Sequence, residues 1–303
     1  MKKVLLSLLL SVPVFASESF GQVFKEVNNN NHHEFGVFIG TANYRGDLQK
    51  QFFPNYGYKP VYGLLYKYFM NPFLGIRAGL SYTNLTAADS LSGVKAQEQR
   101  NLRFSTSLLE THVGLELNLL PVSLENMKVS PYVFGGVSVF YANPYTDSAY
   151  GQGKVFLRPL NTEGQALPNY PDRRPYSLVN FAVPFGGGMK AFVGNKVMFG
   201  LELGLRYTST DYLDDVSKTY VNMDTLFRYR GKQSVDYSFR GNEVAGWDGN
   251  TPDYKHQRGT VKGNDWYWFG GISVTIYLDA MGNTKPYMNT KCATKRRINP
   301  LAF

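Results

Sequence analysis

A single cysteine, Cys292, stands in 303 residues, so no internal disulfide can hold this chain together. Histidine is almost as scarce, with His32, His33, His112 and His256 only. Neither an HExxH nor a CxxC spacing occurs, nor any Ser/His/Asp spacing of a hydrolase, so neither metal nor cofactor chemistry is expected. Beyond the first twenty residues no run approaches the roughly 18 to 20 apolar residues that a membrane helix needs. Acidic residues number 23 against 32 basic ones, a formal net charge of +9. Part of that excess is local, since Lys285, Lys291, Lys295, Arg296 and Arg297 crowd one end. Such a tail is either a solvated end or a contact for an acidic partner or lipid headgroups.

The other end explains why nucleic acid is not the expected partner. Lys2 and Lys3 precede an apolar run from Val4 to about Leu10 and then small residues, the build of a signal peptide over 1–21. Cleavage after Ala16 or after Gly21 fits, and no lipobox cysteine lies nearby. An exported chain without a membrane helix is either soluble or a β-barrel. Gly (30), Tyr (22) and Phe (21) are abundant. Mean hydropathy is only −0.28, which decides nothing because barrel strands hide apolar content by alternation.

That alternation is plain from Phe181 to Tyr207. Val197, Phe199, Leu201, Leu203, Leu205 and Tyr207 share one parity, with Gly200, Glu202, Gly204 and Arg206 on the other. Phe181, Val183, Phe185, Met189, Ala191 and Val193 repeat the pattern, and Gly194-Asn195 reverses the chain between the two. Six further strands read the same way: Glu34–Asn43, Pro60–Phe69, Phe73–Tyr82, Phe104–Leu119, Pro131–Tyr141 and Trp266–Leu278. Connections after strands one, three, five and seven are long and the others short. A soluble sandwich has no reason to sort loops by parity, whereas an outer-membrane barrel does. The expected fold is all-β: an eight-stranded antiparallel outer-membrane barrel over 34–278, with a periplasmic spacer (22–33), a periplasmic basic tail (279–303) and long extracellular loops.

Eight strands leave an interior that side chains can fill. The inward parity carries Lys67, Arg77, Glu110, His112, Glu116, Lys190, Glu202 and Arg206, a charge network rather than a channel. A relay from His112 to Glu110 or Glu116 is the competing reading, but i, i+2 spacing is what lumen packing gives anyway. Tyr44, Tyr82, Tyr141, Tyr207, Trp266 and Tyr277 are placed as interfacial girdles, and Trp268 as lipid-facing. A rim enzyme would use His256 with Asp253 or Asp265, and a calcium site would use Asp211, Asp214 and Asp215. No further residue supports either, so no enzyme is expected, and the acidic group reads as turn and cap chemistry.

Cys292 sits among polar residues close to cations, as an unpaired thiol or half of an intermolecular disulfide.

The run Thr210–Asn222 (TDYLDDVSKTYVN), with Leu201–Arg206 before it, resembles the signature of PorG-type outer-membrane barrels of Bacteroidota. Asp211, Tyr212, Leu213, Asp214 and Asp215 are its core. Phe35–Leu48 (FGVFIGTANYRGDL), Pro131–Gly136 (PYVFGG) and the late Cys292 are similar to further parts of that pattern. The resemblance implies a component of type IX secretion, linked to gliding, that anchors a periplasmic ring of the lipoprotein PorK and PorN. Two departures stand out: Cys292 is followed by Ala293 and ten more residues where family tails end soon after Cys-Pro, and Arg228–Gly263 aligns with nothing. The alternative is a stand-alone OmpA-like surface barrel that binds through its loops.

Overall fold

The computed structural model describes residues 31–120, 129–148, 151, 153–193, 196–260 and 263–279. The expected signal peptide, the Gly194-Asn195 reversal and the tail with Cys292 lie outside the described residues.

Among the described residues, alternating side chains build nine strands: β1 (His32–Arg45), β2 (Lys59–Phe69), β3 (Leu74–Ala88), β4 (Arg103–Asn118), β5 (Val129–Asp147), β6 (Lys154–Phe156), β7 (Val179–Val193), β8 (Val197–Thr208) and β9 (Trp266–Asp279). Eight of them form a closed antiparallel ring, because β1 pairs with β9 and β4 with β5. The three-residue β6 lies outside the ring, on the upper end of β5. His32 and His33, expected in the spacer, are the first residues of β1.

Register fixes the barrel's geometry. Following cross-strand partners from Tyr141 through Leu109, Tyr82, Tyr62, Ile39, Ile272, Leu201 and Met189 returns to β5 at Pro131, ten residues from the start. A shear of ten over eight strands, at ordinary strand spacings, tilts the strands by about 40° and gives a radius of roughly 8 Å.

An interior that narrow must be shared between large and small residues. Opposite inward-facing bulk stands glycine: Gly79 faces His112, Gly75 faces Glu116 and Gly114 faces Arg77. Gly188 and Gly186 face Tyr132 and Phe134 in the same way. The space is already taken, since a Cβ on Gly79 would lie 2.5 Å from the His112 ring.

The outer wall is the inverse. Phe35, Val37, Ile39, Leu64, Val113, Leu115, Val137, Phe181, Leu201 and Ile276 are all exposed. In water this continuous apolar surface would be very costly, at about 25 cal/mol for each Å². Its upper edge is sharp on three neighbouring strands: the outward row Tyr82, Leu109 and Tyr141 is followed two residues on by Asn84, Ser107 and Asn143. β3, β4 and β5 continue beyond that edge into water.

All four long connections leave the barrel at this same end and fold into a cap. It contains three short helices, α1 (Lys95–Arg100), α2 (Met223–Arg230) and α3 (Lys232–Ser238). One buried cluster runs from the upper lumen (Leu65, Leu108, Phe140, Phe269) into the cap (Leu48, Leu213, Val216, Tyr237), so cap and barrel share a core.

Three aromatics depart from their expected places. Tyr44 is fully buried beneath the cap rather than in a girdle. Tyr277 has lumen parity and stacks on His32 at 4.4 Å. Trp268 does point outward, yet the β1–β2 connection folds down over it. Phe53 and Tyr58 pack against its ring, and its indole Nε1 donates to the Phe52 carbonyl at 2.6 Å.

Candidate functional site

The eight lumen residues read from the sequence do come together, and all are buried. Glu116 lies at the centre, 2.8 Å from Lys67 Nζ, 2.8 Å from Lys190 Nζ and 3.5 Å from Arg77 Nη1. Arg77 forks onto Glu202 at 3.1 and 3.0 Å, and Tyr132 donates its hydroxyl to the same carboxylate at 2.8 Å. Higher up, Glu110 takes Arg206 at 3.3 Å and the Tyr267 hydroxyl at 2.5 Å.

Sequence reading missed one member. Glu34 is buried on the inward face of β1, 3.8 Å from Lys190. Its parity with Gly36 and Phe38 was the available signal. With it, four carboxylates face four cations.

His112 does not make a relay. Its Nδ1 is 3.3 Å from Glu110 Oε1 but off the hydrogen-bonding direction, and neither ring nitrogen has a hydrogen-bond partner among the described residues. Glu116 is committed to its three cations. This network fills the lumen as a plug in which four carboxylates and four cations pair with one another.

The run 211–215 sits in the cap, and its residues point different ways. Asp214 accepts from the Tyr44 hydroxyl at 2.6 Å, and Asp265 lies 3.2 Å from the same oxygen. Two carboxylates thus share one phenolic proton. Burial, helped by neighbouring acids, pushes both carboxyl groups well above the usual range, Asp214 chiefly beside Asp47 and Asp265 beside Asp214. Asp215, at φ +66°, turns the chain in the left-handed region that Asp tolerates. It accepts from Thr162 at 2.5 Å and Tyr176 at 2.7 Å. Tyr212 donates to Glu163 at 3.1 Å, and Leu213 joins the core.

At the centre of the cap is Arg258, which lies in the segment without a counterpart in the resemblance. It is 3% exposed. Nη1 donates to Glu163 at 3.0 Å and to the Asp215 carbonyl at 2.6 Å, and Nε donates to the Ser238 carbonyl at 3.1 Å. The Arg258 carbonyl accepts from Arg100, whose guanidinium is also forked onto Asp89 at 2.6 Å. Three connections, β3–β4, β5–β7 and β8–β9, are thereby tied at one residue. Tyr44 and Asp47 of the first resembling stretch meet the same knot, Tyr44 through Asp214 and Asp47 through the Thr260 amide at 3.0 Å.

Burial lifts the Asp215 carboxyl from 3.8 to about 6, against the opposing Arg258 charge. The folded cap therefore binds this proton more tightly than the unfolded chain does. Its contribution to stability is present below about pH 4 and is lost as pH rises through about 6. Cap melting, followed by thermal shift from pH 4 to 8, is expected to fall across this window, and Asp215→Asn to flatten the fall.

Between α1 and the chain from Phe239 to Thr260 the cap leaves an open cleft of about 590 Å³. Trp247, Gln97, Asn250, His256 and Gln257 are among its walls, and Tyr220 and Arg258 lie at its base. His256 is exposed here, while Asp265 is buried against Tyr44 and the Leu213 amide, so these two do not form a catalytic pair. Asp253 meets His256 through the backbone, its carbonyl accepting from the His256 amide at 3.0 Å. Among the described residues no group of His, Cys, Asp and Glu is arranged to hold a metal ion, Asp211, Asp214 and Asp215 included.

An apolar outer wall, a charge-filled lumen and loops sorted to one end define an integral membrane β-barrel of the outer-membrane type. Residues 17–155, a little under half of the chain, match the family model described as a domain of unknown function, DUF6089. A search of curated proteins returned no match. Among solved structures the chain is similar to Ail, the attachment invasion locus protein of Yersinia pestis, in complex with the heparin analogue sucrose octasulfate. Identity is 9%, over 82% of this chain and 99% of that one, with a TM-score of 0.37. It is also similar to Neisserial surface protein A (10% identity, 82% and 96% covered, TM-score 0.38). OprG of Pseudomonas aeruginosa gives 10% identity, 84% and 100% covered, and a TM-score of 0.38.

Proposed function

We propose that this protein is a non-catalytic, non-conducting outer-membrane barrel that binds a ligand through its loop cap, which faces the cell exterior. The observation that carries this reading is the cap itself: three connections tied through buried Arg258 and the fourth joined to them by Asp47 on the Thr260 amide, with an open cleft of about 590 Å³ on top. Connections that served only to join strands would not need a buried ion-paired core. A recognition surface does, because a pre-ordered site has less freedom to lose on binding.

A second reading keeps the secretion role that the resemblance implies, with PorK and PorN as partners. It is supported by the chain ends. His32 pairs with Asp279, so residues 280–303 and their five basic residues start at the end opposite the cap, where a periplasmic ring would lie.

A truncation and a loop replacement separate the readings. Stopping the chain after Asp279 leaves ligand binding intact in the first and abolishes secretion in the second. Replacing 241–256 by a Gly-Ser linker does the reverse. Non-reducing gels of outer membranes, wild type against Cys292→Ser, add a direct check: a reducible adduct with a ring lipoprotein, absent from the variant, would favour the second reading.

A further inference from the structure

We propose that the cap cleft binds an uncharged saccharide, stacked on Trp247; this rests on the ligand-binding reading above and names its ligand class.

Of the charges lining the cleft, four are already spent and Lys50 is exposed. Arg100 is forked onto Asp89, Arg258 is paired with Glu163, and Asp47 accepts from the Thr260 amide. Asp248 takes the Asn250 amide at 2.9 Å and its Nδ2 at 3.0 Å. An anion would find no uncommitted guanidinium here and a single exposed ammonium, Lys50. A cation would meet Lys50, Arg100 and Arg258 against two carboxylates.

What remains are side-chain amides that can both accept and donate. The side-chain nitrogen of Gln97 is used on the Asp47 carbonyl, that of Gln257 on the Gly259 carbonyl, and that of Asn250 on Asp248. Their amide oxygens, Gln97 Oε1, Gln257 Oε1 and Asn250 Oδ1, take no hydrogen bond among the described residues. Three lining amides, each with a free oxygen and a second N–H, suit a ligand rich in hydroxyl groups, which donate and accept in turn.

The aromatic component is Trp247, 40% exposed. Its indole Nε1 is fixed by the Asn250 carbonyl at 3.0 Å, and Asn250 is itself fixed by Asp248, so the ring is held in place before any ligand arrives. A rigid apolar plane beside hydroxyl acceptors matches the two sides of a pyranose, C–H face and hydroxyl edge. The volume lies within the range of small-ligand sites and accommodates a short oligosaccharide rather than a single ring.

The full-length protein in nanodiscs is titrated by saturation-transfer NMR and tryptophan fluorescence with three probe sets. These are neutral trisaccharides (maltotriose, cellotriose, chitotriose), a trigalacturonate, and spermidine. Binding of at least one neutral trisaccharide is expected, weakened about tenfold or more by Trp247→Ala, a loss of roughly 1.4 kcal/mol. It should also be weakened by Gln97→Leu with Gln257→Leu, and unchanged by Phe227→Ala, an exposed cap residue outside the cleft. Unchanged proteolytic protection of the cap in Trp247→Ala excludes unfolding as the cause. Trigalacturonate or spermidine binding at the cleft in place of the neutral probes would overturn the saccharide assignment and leave ligand binding standing. Silence of all three sets would overturn the saccharide assignment, and full function after replacement of 241–256 would overturn the ligand-binding reading as well.

Discussion

Glu116→Ala is expected to cost about 3 to 5 kcal/mol of barrel stability, the loss seen when one partner of a buried ion pair is removed. The residue is fully buried and is the shared anion of Lys67, Lys190 and Arg77. Without it, four lumen cations face Glu34, Glu110 and Glu202. Urea titration in detergent, with the gel shift between folded and heat-unfolded protein as readout, measures the effect. The double variant Glu116→Ala/Lys190→Met removes the surplus charge and is expected to recover more than half of the loss. A cost below about 1 kcal/mol would mean that water screens these pairs as it does surface ones, and the plug described here would be a hydrated channel.

Arg258→Ala is expected to release the cap while the barrel keeps its melting behaviour. Glu163 and Asp215 would be left buried without their cation, and the carbonyls of Asp215 and Ser238 without a donor. Each unsatisfied buried group costs about 1 to 3 kcal/mol, more when charged. Limited proteolysis is expected to cut within 239–260 in the variant at protease levels the parent withstands. Arg258→Lys should not rescue it, because an ammonium cannot span three acceptors set for a planar fork. If cleavage is unchanged, the cap is held by its apolar cluster around Leu48, Leu213 and Val216 rather than by this residue.

What could be read from the chain followed the chemistry of the surrounding solvent. Every barrel strand was legible, because lipid outside and a narrow polar lumen inside impose alternation on each residue separately. Where the strands leave lipid the signal stops. β3 was read to Tyr82 and β5 to Tyr141, but they extend to Ala88 and Asp147, since Asn84, Asn143 and their neighbours no longer need to be apolar. The eight lumen charges were legible from parity, yet the same parity on Glu34 was passed over because it stood at a strand's first residue.

The cap was not legible. Arg258 meets Glu163 across 95 residues and Tyr44 meets Asp214 across 170, distances at which no local pattern operates. Tyr44 and Trp268 show how this misleads. Tyr44 shares the inward parity of Phe38 and Ala42, so it turns into the interior beneath the cap, while Trp268 keeps the outward parity and is covered by a loop. The resemblance did mark residues that matter to one another, but through their place in the cap's interior rather than through a visible chemistry.

The pairing of β1 with β9 along fourteen residues bears on how the protein is made. Until the last strand arrives, the first carries an open edge whose amides and carbonyls cannot face hydrocarbon, each costing several kcal/mol there. A partly inserted sheet is therefore no resting point. Insertion and ring closure are coupled, and the last strand must be available before the first can rest in the membrane.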